Sequence, residues 1–164
     1  MPATSTEMEH YMRTALRLAD NAGAIDEVPV GALIVRDGLL MGEGHNQNVQ
    51  AADPTAHAEV VALRDACAYE GNYRLNGAAI FVTLEPCLMC FAALVHARIH
   101  TLVYGAGDPK RGYSQFLSEA DLTKFNHRMT IIPGVLQDEA TAKIQAFFRA
   151  KRERGKRKWM RPQS

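Results

Sequence analysis

Two short motifs, about thirty residues apart, constrain this chain more than any other feature: His57-Ala58-Glu59 and Pro86-Cys87-Leu88-Met89-Cys90. Two thiols three residues apart meet on one face of a helix, and proline is tolerated at the first helical position. We therefore predict that both cysteines lie on the first turn of a helix. Asp53-Pro54 shows the same pattern of a cap followed by a proline, and predicts a second helix start just before His57.

A histidine and two cysteines are suitable ligands for Zn²⁺, and three ligands leave one position of a tetrahedral site open. An open position distinguishes a catalytic zinc site from a structural one, because a water molecule held there has its pKa lowered to about 7. Glu59 lies two positions from His57, where a carboxylate can take a proton from that water and pass it to a leaving group. We predict one zinc ion per subunit, bound by His57, Cys87 and Cys90, with Glu59 as the catalytic residue.

The third cysteine is not predicted to complete this site. Cys67 lies ten residues beyond His57 on the same predicted helix. At about 1.5 Å per residue, this spacing corresponds to roughly 15 Å along the helix axis. Cys67 is expected to behave as a small apolar side chain instead.

The order of apolar patterns predicts an α/β fold. Residues 1–5 are expected to be disordered, and Thr6 with Glu9 is typical of a capping box that opens a first helix. Asp37-Gly38 is a strong hairpin signal between two strands, and Asn46 follows the second strand. Strands are predicted at 28–35, 39–44, 78–83, 99–104 and 129–132, and a last helix from Asp138. This succession favours three α/β/α layers around a mixed sheet of about five strands, with the cysteine helix at a strand's carboxyl end.

The composition of the chain is that of an ordinary globular protein. The 164 residues are 47% hydrophobic and 23% charged, which is ordinary for one globular domain, and we predict a single domain over 1–164. No apolar run approaches the roughly 20 residues of a membrane span, and nothing resembles a signal peptide. Three cysteines do not suggest a disulfide framework, so a cytoplasmic location without membrane contact is expected.

The net charge of +1 conceals an asymmetry. Eight of the 19 basic residues lie within 149–161, against the single acid Glu153. The rest of the chain then carries 11 basic and 17 acidic residues, a formal charge of −6. This basic C-terminal segment, 138–164, on an acidic body indicates a polyanionic partner. The eight residues are Arg149, Lys151, Arg152, Arg154, Lys156, Arg157, Lys158 and Arg161.

The two motifs together match the H-x-E…P-C-x-x-C signature of the zinc-dependent nucleobase deaminases. Flanking segments make nearly the whole chain similar to the branch of this family that acts on tRNA adenosine. One departure is Gly112-Tyr113-Ser114-Gln115-Phe116, which is bulkier than the small-residue run expected from that branch. The matching segments are 27–32, 42–44 with Asn46, 53–59, 72–75, 82–87, Asp108 with Lys110, and 126–128.

The resemblance implies conversion of adenosine to inosine at the wobble position of a tRNA anticodon, with hydroxide attacking C6 of the adenine. It also implies that Asn46 and the Ala58 N–H help to fix the base, and that Asp108 contacts nucleotides flanking the target. Phe148 and Arg149 would lie beside the anticodon stem-loop, and one of Phe147 and Phe148 could be a stacking platform. Family members are homodimers whose RNA contacts both subunits, so a homodimer is expected.

Two alternatives stay open at this point. A zinc deaminase for a free base or nucleotide, such as cytosine or guanine, would share the metal motifs but would not need the basic C-terminal segment. A non-catalytic zinc and RNA-binding module would need neither an open metal position nor Glu59. The first alternative predicts turnover of small molecules with little dependence on salt, and the second predicts no turnover.

Overall fold

A computed structural model describes residues 3–160 and places five strands in one sheet with the order β2-β1-β3-β4-β5. β1 runs antiparallel to β2 and β3, whereas β3, β4 and β5 are parallel, so the sheet is mixed as predicted. A 3₁₀ turn at Tyr113–Gln115 lies between β4 and α4. The elements are α1 Ser5–Ala24, β1 Gly31–Arg36, β2 Leu39–His45, α2 Ala58–Glu70, β3 Ala79–Leu84, α3 Leu88–His96, β4 Thr101–Ala106, α4 Glu119–Leu122, β5 Thr130–Ile132 and α5 Gln137–Met160.

Helices cover both faces of the sheet, which confirms the three-layer α/β/α prediction. Alternate strand residues point to opposite faces, so Ile34 and Ile80 pack with α2 and α3, whereas Leu33 and Phe81 pack with α1 and the start of α5. All four of these side chains are almost completely buried. The sheet therefore carries a separate apolar core on each side, and β3, at its centre, contributes to both.

The predicted hairpin between β1 and β2 is confirmed at Asp37 and Gly38. Their φ angles are 52° and 76°, and two consecutive residues with positive φ give the turn whose twist matches that of the flanking strands. The segment Val28-Pro29-Val30 precedes β1, although the sequence pattern includes it in the strand. Pro29 has no N–H to contribute to the ladder, so regular pairing begins only at Gly31.

α2 packs unusually close to β2 because that strand carries Gly42 and Gly44. A Cβ at Gly44 would lie 2.7 Å from the Ala58 carbonyl oxygen and the Ala62 amide nitrogen, and a Cβ at Gly42 would overlap the backbone of the next turn. Only glycine permits this approach. The strand thereby holds the first turn of α2, which carries the His57-Ala58-Glu59 motif, directly against the sheet.

The start of α1 corrects one prediction. The capping box is formed by Thr4 and Glu7 rather than by Thr6 and Glu9. The Thr4 hydroxyl accepts from the Glu7 N–H at 3.2 Å, and the Glu7 carboxylate accepts from the Thr4 N–H at 2.8 Å. Both pairs have the required spacing, and the earlier one adds two residues to the helix. Ser5, expected to be disordered, is therefore helical, while residues 1 and 2 lie outside the described range.

Across residues 3–160, no helix combines the length and the apolar character needed to cross a membrane.

Candidate metal centre and active site

The two motifs lie at helix starts, but both helices begin later than predicted: α2 begins at Ala58 instead of Pro54, and α3 begins at Leu88 instead of Pro86. His57 is the N-cap of α2 and Cys87 is the N-cap of α3, both with extended backbone. Cys90 then lies at the third helical position, and Pro86 precedes the cap instead of occupying the first turn. β2 and β3 run in the same direction, because β1 is antiparallel to both. Ala58 contacts Asn46 just after β2, and Cys87 follows β3, so both motifs lie at the sheet edge where β3 ends, here called the carboxyl edge.

Asp53 does not cap α2, contrary to the prediction. Its carboxylate accepts instead from the Thr55 N–H at 2.8 Å and from the Thr55 hydroxyl at 2.7 Å. Ala56 also donates to the Asp53 carbonyl at 3.2 Å, which closes a local turn. An Asp-Pro pair opens such a turn as readily as a helix, and here the turn delivers His57 to the cap position.

His57, Cys87 and Cys90 form a group that could hold a metal ion, with their ligand atoms all within 4.8 Å of one another. The Nδ1 atom of His57 lies 3.6 Å from Cys87 Sγ and 3.4 Å from Cys90 Sγ. Zinc bonds of about 2.3 Å to sulfur and about 2.0 Å to nitrogen, at tetrahedral angles, require nitrogen–sulfur separations of roughly 3.5 Å. The donor set and its spacing therefore fit Zn²⁺. Three protein ligands leave the fourth position available.

The two thiols are electrostatically unlike. A hydrogen bond from Cys90, together with one from His57, lowers the pKa of Cys87 to about 4, so this residue is a thiolate at neutral pH. The hydrogen bond that Cys90 donates to Cys87, and then its burial, raise the pKa of Cys90. The hydrogen bond with Cys87 raises the pKa of His57. A cation would displace the remaining protons, because metal ligands bind in their deprotonated forms.

Glu59 is buried beside these ligands, with 4% of its surface exposed. Burial raises its pKa from 4.5 to about 7, and the Cys90 side chain lies beside its carboxylate. A carboxyl group with a pKa near neutrality can both accept and release a proton at physiological pH. The structure thus places the predicted catalytic residue against the predicted metal ligands.

Asn46 and Ala58, the two predicted base contacts, are in contact with each other. The Ala58 N–H donates to Asn46 Oδ1 at 2.8 Å, which satisfies one of the free amides at the start of α2. This bond fixes the orientation of a buried side-chain amide. Asn46 is 9% exposed, follows β2 directly and lies next to the start of α2.

Two buried carboxylates, to which the sequence patterns assign no role, hold the loops around this site. Glu27 accepts from the N–H groups of Val49 and Gln50 at 2.7 and 2.8 Å, in the loop that follows Asn46. Glu85 accepts from the Asp108 N–H at 2.9 Å, in the loop that follows β4. The signal in the sequence is an acidic residue directly next to an apolar run, where a solvated charge would not be expected.

Phe148 and Arg149 lie on α5, apart from the metal ligands and on the other face of the sheet. Phe148 is 40% exposed and Arg149 is exposed, whereas Phe147 is half-buried with the Lys151 ammonium 5.4 Å from its ring centre. The helix begins at Gln137, one residue before the predicted start. Arg161, the last residue of the predicted basic run, lies outside the described residues.

The direction of α5 brings its basic half towards the site. Three ion pairs join α1 and the residues just after it to α5 in the same order along both segments, so the helices are parallel. α1 ends next to the start of β1, and β1 is antiparallel to β3, so both helices run towards the carboxyl edge. The pairs are Arg13–Glu139 at 3.4 Å, Asp20–Lys143 at 2.7 Å and Asp26–Arg154 at 2.8 Å.

Comparison with known proteins agrees with this geometry. Residues 6–152 match the model of the MafB19-like deaminase family. A tRNA-specific adenosine deaminase of Haemophilus influenzae is 46% identical over 151 residues, which cover 90% of this chain and 87% of that protein. The chain belongs to the tRNA-specific adenosine deaminase family. The member of this family from Bacillus subtilis is 40% identical, with 92% of this chain and 94% of that protein covered.

Solved structures of deaminases share the fold. One of them comes from a study of A-to-I editing by tRNA:A34 deaminases at the wobble position. It is 41% identical to this chain with a TM-score of 0.76, and the match covers 82% of this chain and 98% of that one. A guanine deaminase from Nitrosomonas europaea is 26% identical with a TM-score of 0.75 and covers 85% and 83%. A guanine deaminase from Bacillus subtilis is 31% identical, with a TM-score of 0.61 and coverage of 88% and 93%.

Proposed function

We propose that this chain deaminates adenosine to inosine at the wobble position of a tRNA anticodon. The observation that carries the proposal is the apposition of Glu59 to the His57, Cys87 and Cys90 group at the carboxyl edge, in a chain 46% identical to a tRNA-specific adenosine deaminase. The target base in an anticodon loop is unpaired, so it can enter a pocket at little unstacking cost.

Zn²⁺ held by His57, Cys87 and Cys90 would supply the Lewis acid that lowers the pKa of a water molecule. Glu59 would accept the proton of the attacking water and deliver it to a purine ring nitrogen. It would then transfer the proton of the hydroxyl added at C6 to the amino group, which leaves as ammonia. Its pKa of about 7 suits both directions of transfer. Asn46, whose amide is oriented by the hydrogen bond from Ala58, would donate from Nδ2 to a ring nitrogen of the base.

α5 supplies the electrostatic component of RNA binding in this proposal. Its exposed lysines and arginines lie on a helix that runs towards the carboxyl edge, and neutralising phosphates with such residues releases counterions. Exposed Phe148 offers a face on which an unstacked base could stack. We propose that Phe148, Arg149 and Asp108 contact the anticodon stem-loop.

We also propose that the chain acts as a homodimer with RNA contacts from both subunits. Several apolar side chains near the site are exposed in one protomer, among them Leu88 at 40% and Met89 at 37% on the first turn of α3. A second copy would cover such a patch. Sedimentation or light scattering of the purified protein should give twice the mass of one chain, and a monomer at micromolar concentration would contradict this assembly.

A second candidate function is deamination of a free purine base. The fold similarity to the guanine deaminases of Nitrosomonas europaea and Bacillus subtilis favours it. The basic half of α5 favours RNA, because a free base carries no phosphates for it to neutralise.

The deciding experiment measures product formation by zinc-loaded protein with total tRNA, free adenosine, cytidine and guanine, each at two salt concentrations. Inosine confined to anticodon loops and suppressed by salt is expected. Turnover of guanine or a nucleoside with tRNA unchanged would support the second candidate. The absence of any turnover would leave a non-catalytic zinc and RNA-binding module as the better account.

A further inference from the structure

Glu85 lies at the junction of two segments that meet at the carboxyl edge. It follows β3 and precedes Pro86 and Cys87, and only 5% of it is exposed. Its carboxylate accepts from the Asp108 N–H at 2.9 Å, from the Ser114 N–H at 3.1 Å and from the Ser114 hydroxyl at 2.5 Å. One buried carboxylate therefore joins both ends of the loop at 108–114.

The loop is built around this carboxylate. Gly112 packs against it so closely that a Cβ would overlap the carboxylate oxygens. The Tyr113 N–H donates to the Pro86 carbonyl at 2.8 Å, and the Tyr113 ring stacks on Phe91 of α3 with centroids 4.3 Å apart. The loop is thus attached to the start of α3 at several points.

The same loop presents positive charge beside the candidate active site. Asp108 Oδ1 accepts from the N–H groups of Lys110 and Arg111 at 3.1 and 3.0 Å, which forms a tight turn. Both basic side chains are exposed at the apex of this turn. Because β3 and β4 are adjacent and parallel, the turn after β4 lies next to the cysteines that follow β3. Lys110 and Arg111 therefore lie beside the candidate active site, and their charges suit the phosphates of an RNA substrate.

We propose that Glu85, with Ser114 as its partner, is a positioning residue that fixes the basic turn of the 108–114 loop relative to the metal centre and thereby sets the affinity for RNA substrate. This inference rests on the proposed function. A carboxylate can accept all three hydrogen bonds, whereas a glutamine at this position has one acceptor oxygen and would direct its own N–H groups at a donor of the loop. Removal of such charge-assisted hydrogen bonds corresponds to about tenfold or more in binding.

The test compares Glu85→Gln, Ser114→Ala and Gly112→Ala with Gly23→Ala. The Gly112→Ala variant leaves Glu85 chemically intact but displaces its carboxylate, whereas a Cβ at Gly23 meets only Pro29, at 3.8 Å. With an anticodon stem-loop RNA, we expect Glu85→Gln and Gly112→Ala to raise KM about tenfold, with kcat within about twofold of the wild type. Ser114→Ala should give a smaller increase, and adding it to Glu85→Gln should have no further effect.

Two further measurements separate this proposal from its alternatives. The zinc content should stay at one per chain in every variant; loss of zinc or a fall in kcat alone would assign Glu85 to the metal helix and overturn the proposal. Hydrogen exchange should accelerate in 107–114 of Glu85→Gln and stay unchanged in 58–70. This readout does not depend on the substrate, so faster exchange without RNA turnover by the wild type would refute the proposed function alone, and unchanged exchange would refute the positioning role.

Discussion

At the scale of single residues, the chemistry of the site depends on groups held in unusual environments. Cys87 is a thiolate because Cys90 and His57 donate to it, and Glu59 keeps its proton up to about pH 7 because it is buried. The side chains whose pKa values are shifted lie close together at the carboxyl edge, and such clustering is typical of catalytic centres. Both the predicted metal ligands and the predicted proton carrier can thus be tested by single substitutions.

The first prediction concerns Glu59 as proton carrier. Glu59→Gln keeps the size of the side chain but cannot accept the proton of the attacking water, so kcat should fall by at least about a thousandfold. Zinc content and RNA affinity should be unchanged, because the substitution alters neither His57 nor the cysteines. Single-turnover assays and metal analysis would check this. A variant that retains the wild-type rate would exclude the proposed mechanism.

The second prediction uses the pKa of the same residue. In the folded, metal-free protein Glu59 releases its proton near pH 7, compared with about 4.5 in the unfolded chain, so the folded state binds more protons between these values. Its contribution to stability is therefore present below about pH 4.5 and lost as the pH rises through 7. Glu59→Gln lacks this dependence.

Urea denaturation of both proteins in a chelating buffer would measure the difference. The free energy of unfolding of the wild type, relative to Glu59→Gln, should fall by about 3 kcal/mol between about pH 4 and pH 8. A difference that is constant with pH would show that Glu59 titrates normally in the folded protein.

At the scale of elements, the site depends on helix starts being held against the sheet. α2 can approach β2 because Gly42 and Gly44 have no side chains, and α3 begins soon after β3 ends. The helix N-termini also favour the negative charge of the thiolate and of the Glu59 carboxylate. Sheet and helix packing therefore decide the distances among His57, Cys87 and Cys90.

The third prediction tests this packing. Gly44→Ala would place a methyl group 2.7 Å from backbone atoms of Ala58 and Ala62, so α2 must move away from β2. We expect a decrease of at least about 2 kcal/mol in the free energy of unfolding, together with weaker zinc binding. Gly155→Ala is the control, since nothing lies within 4 Å of the new Cβ and alanine favours the helix. Equal melting temperatures for the two variants would contradict the packing argument.

At the scale of the whole molecule, the basic half of α5 and the candidate active site lie on opposite faces of the sheet, and both extend to its carboxyl edge. The predicted metal ligands lie at the starts of the helices on one face, and the basic half of α5 belongs to the other face. The parallel ion pairs between the α1 segment and α5 direct that half towards the carboxyl edge. The acidic body leaves this segment as the principal positive surface for a polyanion.

The fourth prediction concerns the salt dependence of RNA binding. Replacing Lys156, Arg157 and Lys158 by alanine removes three positive charges near the end of α5. The slope of log K against log salt for an anticodon stem-loop should decrease in magnitude by about 2, because each phosphate neutralised on a single strand contributes roughly 0.7 to the slope. Titrations at several salt concentrations would measure it.

The matched control for this prediction is Arg36→Ala. Arg36 ends β1 at the opposite edge of the sheet, where it pairs with Glu70 at 2.8 Å. Its replacement should leave the slope unchanged. If the triple variant and the control have the same slope, the basic half of α5 does not contact the RNA.

Local patterns in the sequence are sufficient to predict the hairpin at Asp37-Gly38, the succession of strands and helices in a three-layer fold and the His57, Cys87 and Cys90 group. Each of these depends on residue types at short, fixed spacings or on two motifs that match a known signature. Helix starts are less well determined by sequence, since Thr4 and Thr6 both fit a capping box and Asp53-Pro54 fits a turn as well as a cap.

The tertiary structure alone decided which distant groups meet. Glu85 reaches Asp108 and Ser114, 23 and 29 positions away, and Glu27 reaches the loop after Asn46 across 22 positions. Nothing in the local sequence around a buried carboxylate specifies its hydrogen-bond donors, because those donors are mostly backbone amides, which every residue except proline carries. The sequence by itself therefore determined the kind of chemistry available to this protein, whereas the packing of loops and helices on the sheet decided how that chemistry is held in place.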